Sequence, residues 1–229
     1  MARWNGILSF PVKHTNKMQP SPNESKTVNL RTYVRSECVV FHTTRDEFGG
    51  LSNMASGFPL SVNGISIRTS EALYQVCRFP HRPDVQQFII DEASPMIAKR
   101  KSKPYRDETR SDWDLVRHKI MRWSLRVKLA RHYSTFGELL LSTGERDIVE
   151  QSSKDNFWGA FVRPDGTLIG QNILGRLLME LRERLKYDES QSLKIVEPLS
   201  VPDFFLLGRE IEIVDATNDP TQPQQSRLL

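Results

Sequence analysis

The sequence predicts a helix-rich α+β domain with small β-hairpins or a small sheet, and three observations lead there. Asn63-Gly64 separates two short β-branched runs in FPLSVNGISIRTS, the two-residue turn that closes a hairpin with both central residues at positive φ. Between Asp112 and Tyr133, Trp113, Val116, Ile120, Trp123, Val127 and Ala130 recur at three-four spacing, the stripe of an amphipathic helix. A second stripe, Leu174, Leu177, Leu178, Leu181 and Leu185, occupies residues 171–186. With 229 residues, 38% of them hydrophobic, the chain is long enough to bury one substantial core.

Taken in order, residues 1–30 mix Pro, Ser, Asn and Lys and read as an irregular arm. The stretch LRTYVRSECVVFHTT from Leu30 reads as a strand, followed by the loop RDEFGGLSN and then the hairpin. Ser70 is the expected N-cap of SEALYQVCRF, which turns Ala72, Leu73, Val76 and Cys77 inward. Glu71, Gln75 and Arg78 line up on its other face at spacings of four and three. Pro83 and Pro95 open short helices from their first turns. Ser111 and Asp114 form a capping-box pattern for the long helix, and its opposite face carries Arg117, Lys119, Arg122 and Arg126. Thr135 and Glu138 repeat that pattern before ELLLST, and RPDG at 163–166 is a turn. Gly175 lies inside the last strong helix, where it costs about 1 kcal/mol relative to Ala, so a packed neighbour or a ligand must need the room. Beyond Asp188, SLKIVEPL and REIEIVDA are strand-like islands joined by VPDFFLLG, and TNDPTQPQQSRLL reads as disordered. The expected organisation is an arm over 1–37, a catalytic domain over 38–187 and an extension over 188–229.

Composition narrows the function classes. No apolar run approaches the roughly 20 residues of a membrane span, and MARWNGILSFPVKH lacks the apolar core of a secretory leader, so a cytoplasmic protein without membrane contact is expected. Cys38 and Cys77 have no paired spacing and the five histidines are scattered, so neither a disulfide framework nor a metal site is expected. Net charge is only +4, yet Ser94 to Arg131 holds twelve Lys or Arg against four Asp or Glu. That block either attracts phosphate groups or is a solvated helix face. Phosphate-loop, dinucleotide-fold and nucleophile-elbow signatures are absent.

What remains is a set of polar and aromatic residues at element boundaries: Asn53, Glu71, Trp113, Lys154, Asp155, Trp158, Asn172 and Arg176. Singly, each has an ordinary explanation. Glu71 suits a helix dipole, Asp155-Asn156 suits a turn and Trp158 suits a core. Together, the blocks GGLSNM, RTSEALYQVCRF, SPMIAKRK, DWDLVRHKIM, LLLSTGERDIVEQSSKDNFWG and GQNILGRLLMELRERL resemble the NADAR family in composition and order, across about Phe41 to Leu185.

The resemblance implies a helix-rich α+β fold, no cofactor, and action on N-glycosidic bonds of ribose compounds. Two activities are associated with the family: removal of ADP-ribose from guanine bases, and N-glycosidase action on early riboflavin-pathway intermediates. Some members are antitoxins of DarT-type toxins, so ADP-ribosylated guanine in DNA or RNA and a cognate toxin are the implied partners. A non-catalytic ADP-ribose or nucleic-acid binder is the reading from a different class. Cleaving ribose C1 from nitrogen develops positive charge on the sugar, which a carboxylate stabilises. Glu71 is the first choice for it, with Asp155 orienting hydroxyls or water. Asn53, Gln75, Arg78, Asn172 and Arg176 are candidates for ribose and phosphate contacts, Trp113 and Trp158 for stacking, and Gly159 and Gly175 for close backbone approach. Arg117, Lys119, Arg122 and Arg126 are candidates for nucleic-acid contact. The chain departs from the family at Arg78, where many members carry a lysine able to attack opened ribose. A guanidinium cannot, which favours direct hydrolysis and otherwise leaves Lys99 or Lys154 as the amine.

Overall fold

The computed structural model describes residues 29–218; most of the N-terminal arm and the last residues of the tail lie outside that range. Arg31–Tyr33 (β1) and Cys38–Phe41 (β2) are separate strands, divided by a 3-10 turn at Arg35–Glu37. The single strand expected here is thus broken, because its two halves pair with different partners. Leu60–Val62 (β3) and Ile65–Ile67 (β4) form the expected antiparallel hairpin, with Asn63 at φ 51° and Gly64 at φ 76°.

Five helices follow: Ser70–Val76 (α1), Pro83–Asp91 (α2), Pro95–Lys101 (α3), Trp113–Arg131 (α4) and Thr135–Leu141 (α5). Their starts differ from the sequence expectation in three places. Thr69, not Ser70, caps α1 by accepting from Ala72 N–H, and the Ser70 hydroxyl donates instead to the Asn53 carbonyl. Neither α4, capped at Asp112, nor α5, capped at Ser134, has a side-chain cap hydrogen bond. At α4 the chain enters through a turn in which Trp113 N–H donates to Arg110 O, so Ser111 stands outside the cap position.

The chain then returns as Asp147–Glu150 (β5), Phe161–Val162 (β6), Leu168–Gly170 (β7) and Ile173–Lys186 (α6). β5 runs parallel to β2, pairing Glu150 with Phe41, while β7 lies between β1 and β6 in an antiparallel sheet. The core gathers around α4, whose Ile120, Trp123, Val127 and Leu129 are fully enclosed, with α1 and α6 packed on it. Among the described residues no helix is long and apolar enough to cross a membrane.

Four short strands complete the described chain: Ile195–Val196 (β8), Phe205–Leu206 (β9), Arg209–Glu210 (β10) and Val214–Asp215 (β11), paired as β8 with β11 and β9 with β10. This segment packs into the same core as the preceding domain. Phe204 meets the Trp123 ring edge-on at 4.9 Å, and Trp123 Nε1 donates to Glu197 O. Gln86 clasps the segment from α2, donating to Phe205 O and accepting from Leu207 N–H. Arg110, itself buried, donates to Pro202 O and Asp203 O, and its backbone N–H donates to Arg78 O beside the site. Phe204→Ala is expected to cost about 3 kcal/mol, read as a lower denaturant midpoint with unchanged slope.

Candidate active site

α1 carries the central group. Glu71 is only 2% exposed, on the first turn of the helix, where the backbone dipole favours an anion. Burying a carboxylate is costly unless its oxygens are paired, and here both are. Asn53 Nδ2 donates to Oε2 at 2.5 Å and Gln75 Nε2 to Oε1 at 2.9 Å. Lys99 of α3 adds its ammonium 3.7 Å from Oε1 and is half exposed, so it closes the site from the solvent side. The predicted alignment of Glu71 and Gln75 therefore exists as a hydrogen bond. The other Gln75 amide atom, Oε1, is buried without a partner among the described residues.

Asn53 is fixed more heavily than any sequence pattern suggested. Its carbonyl accepts from Glu71 N–H at 2.8 Å and from the Ser70 hydroxyl at 3.0 Å. The loop before it is held from beneath by Lys128, a fully buried lysine whose Nζ donates to Gly50 O at 2.6 Å and Ser52 O at 3.0 Å. The rings of Phe58 and Phe136 lie 4.5 and 4.2 Å from that nitrogen. Burial pushes the Lys128 ammonium well below its ordinary value. Lys128 was not among the sequence candidates; its signal was a lysine in a helix segment whose neighbours Val127, Leu129 and Ala130 are all apolar.

The facing wall comes from the stretch after β5. Asp155 Oδ1 accepts from both Phe157 N–H and Trp158 N–H, so one of its oxygens is committed to the turn. Trp158 and Trp113 both pack on Tyr74, at ring centroid distances of 5.5 and 4.9 Å. Tyr74, buried on α1 beside Glu71, thereby ties the two predicted tryptophans into one aromatic wall, and burial followed by the Glu71 charge drives its hydroxyl far above the usual range. Two guanidiniums edge this wall. Arg78 lies 5.6 Å from the Trp113 ring with Nε donating to Thr109, and Arg117 lies 3.8 Å from the Phe157 ring.

Glu150, at the end of β5, joins the site without having been singled out from sequence. It is packed within range of the Glu71 and Asp155 charges, and its carboxyl takes no hydrogen bond from the described residues. Burial, then repulsion from Glu71, pushes it up to about 7. Among the described residues no three His, Cys, Asp or Glu side chains are grouped to hold a metal ion.

Several predicted contacts have other occupants. Asn172 is fully buried and spends its amide on the chain, donating to Ile148 O and accepting from Glu150 N–H, so it positions β5 rather than reaching toward a sugar. The room at Gly175 is filled by backbone: an added Cβ would stand 2.0 Å from Ile148 O. At Gly159 it would stand 2.5 Å from Glu150 O, so this glycine too serves strand packing. Lys154 is exposed at the turn, where its backbone N–H donates to the Ser152 hydroxyl, whereas Lys99 faces Glu71. Arg176 is partly buried in the first turn of α6, next to Leu174, whose N–H donates to Trp158 O.

The proposed basic face divides. At about 100° per residue, Arg117 projects on the Trp113 side of α4, while Lys119, Arg122 and Arg126 project from roughly the opposite side. Arg122 is paired bidentately with Glu180, and Arg126 and Arg184 stand around a shallow recess lined by Leu125, Leu177 and Leu181. Arg126 Nε is buried without a partner among the described residues, and burial and the Arg184 charge hold its guanidinium below its ordinary value.

The NADAR domain family profile matches residues 40–186. The N-glycosidase YbiA of Escherichia coli is 34% identical over 163 residues, covering 70% of this chain and 96% of that protein, and the Shigella boydii YbiA matches to the same extent. A riboflavin biosynthesis protein of Vibrio vulnificus is 31% identical over 160 residues, 69% of this chain and 41% of that protein. The NMR structure of E. coli YbiA superposes with a TM-score of 0.57 at 33% identity, covering 69% of this chain and 93% of that one. The α+β architecture is the one these comparisons share, and the chain belongs to the NADAR family.

Proposed function

We propose that the protein is an N-glycosidase that hydrolyses the bond between ribose C1 and a nitrogen, with ADP-ribose on guanine in nucleic acid as its substrate. The observation that carries the reaction is Glu71, a buried carboxylate held at both oxygens by Asn53 and Gln75 and set beside an aromatic wall. Breaking C1–N leaves the electron pair on nitrogen and positive charge on C1 and the ring oxygen. Glu71 opposes that charge and takes a proton from the attacking water as the O–C1 bond forms, while the leaving nitrogen gains a proton. Because Asn53 and Gln75 are already fixed, the carboxylate needs little reorganisation. Lys99 stands in an ion pair with Glu71, and an ion-paired ammonium is no nucleophile, which favours direct attack by water over an imine.

Arginines at the wall support the polyanionic substrate: Arg78 and Arg117 edge the aromatic rings, where pyrophosphate and base would be held together. Arg126 of α4 and Arg184 of α6 line one recess, two cations that would meet phosphates of the strand. A toxin of the DarT type would supply the modified guanine, and this protein would be its antitoxin in the cytoplasm. Incubation with an ADP-ribosylated guanine oligonucleotide is expected to release free ADP-ribose and restore the unmodified strand. Arg126→Glu is expected to lower kcat/KM on the oligonucleotide more than on the ADP-ribosylated mononucleotide. It should also flatten the slope against log salt by about one.

The names of the relatives favour a second reading, an N-glycosidase of riboflavin-pathway intermediates. That enzyme would release no ADP-ribose from the oligonucleotide, and a competing unmodified strand would leave its activity untouched.

A further inference from the structure

We propose that Glu150 is the proton donor to the leaving nitrogen, acting opposite Glu71 as the second carboxyl group of the reaction; this rests on the reading of Glu71 as the carboxylate facing ribose C1. The two glutamates are treated differently by the fold. Glu71 has a donor on each oxygen and a cation beside it. The Glu150 carboxyl has no hydrogen bond or ion pair to the described residues, although it lies within reach of the Glu71, Asp155, Lys99 and His42 charges. A carboxyl group enclosed near like charges and given no donor keeps its proton more readily than a solvated one, the property an acid needs in such a site.

Its backbone is built for placement. Glu150 N–H donates to Asn172 Oδ1, and Glu150 O accepts from Ala160 N–H. The absence of a Cβ at Gly159 allows the strands to approach that carbonyl closely. The charged groups that face its carboxyl come from α1 (Glu71), α3 (Lys99), the turn after β5 (Asp155) and the end of β2 (His42). The start of α6 presents only the neutral Asn172 amide, which accepts from the Glu150 backbone N–H and donates to Ile148 O rather than to the carboxyl. Gln75 Oε1 is buried at the same site without a partner among the described residues, an acceptor that a substrate hydroxyl or the attacking water would meet. In the reaction the Glu150 O–H proton passes to the departing nitrogen as C1–N breaks. Water completes C1, its proton goes to Glu71, and one proton exchange with solvent resets the pair.

Two measurements test this independently of each other. The side-chain carboxyl 13C titration of Glu150 in the free protein needs no substrate and is expected to have its midpoint near 7, against a displacement toward the usual carboxylate range in Glu71→Gln. A wild-type midpoint near 4 overturns the proposal, whatever the substrate turns out to be. In kinetics, an acid that must be protonated gives an alkaline limb, with activity falling about tenfold per unit above about pH 7. Glu150→Gln is expected to lower kcat about 100-fold and to abolish that alkaline limb, with KM little changed. If Glu150→Gln keeps kcat within about threefold and the limb persists, the proton comes from elsewhere. If Glu71→Gln is the variant that keeps full activity, the reading of Glu71 fails instead, so the two failures are distinct.

Discussion

Glu71→Gln is expected to reduce kcat by about 1000-fold while the protein stays folded and still binds its ligand. The size follows from what the proposed reaction would lose: the charge facing a developing cation and the acceptor for the water proton. The substitution keeps side-chain volume, but it turns one oxygen into a donor that must face Asn53 Nδ2 or Gln75 Nε2, both already donors. That mismatch costs about 1–3 kcal/mol of stability, so the thermal midpoint must be recorded beside the kinetics. A purely binding protein would show the stability change and an unaltered affinity for ADP-ribose, with no turnover in either form. A hydrolase shows wild-type turnover, a variant nearly silent in kcat, and a KM that moves far less. Asn53→Ala should follow in the same direction more weakly. It frees Glu71 Oε2 but leaves the Asn53 backbone carbonyl, which still accepts from Glu71 N–H.

The part of this site that was legible in sequence is the part made locally. Glu71 and Gln75 are one helical turn apart, and that spacing alone placed them side by side. The Asn63-Gly64 hairpin and the proline-started helices were legible for the same reason, since turn and cap chemistry acts within four residues. Glu150 shows the opposite case. β5 is four residues long and pairs in parallel with β2, about a hundred residues earlier in the chain, so nothing near Glu150 announces a strand, let alone its place within reach of the Glu71 charge. Lys128 was hidden likewise, because its partners are carbonyls of a distant loop and carbonyls leave no mark on a sequence. Asn172 and Gly175 were singled out correctly as unusual. Whether a ligand or a strand occupied the space beside them depended on how α6 lies on β5, which is a tertiary fact.

Gly175→Ala is expected to destabilise the protein by about 4 kcal/mol or more, and the sign makes the experiment decisive. Helix propensity alone predicts the reverse, a gain of about 1 kcal/mol for alanine in a helix interior. Packing predicts a loss, because the new methyl would lie 2.0 Å from Ile148 O and 2.6 Å from both ends of the Asn172 amide. Neither obstacle can give way cheaply: one is strand backbone, and the other is a fully buried side chain whose amide holds Ile148 O and Glu150 N–H. Relief requires α6 to lift from β5, which strips Glu150 of its backbone tether and loosens the Trp158 carbonyl from Leu174 N–H. Activity should therefore fall with stability, even in whatever fraction remains folded. Gly57→Ala is the matched control, since a Cβ there meets nothing within 4 Å, and it should stay within about 1 kcal/mol of wild type. A chemical denaturation midpoint that rises for Gly175→Ala would mean that α6 does not rest on β5 as described. The anchoring of Glu150 through Asn172 would then have to be abandoned with it.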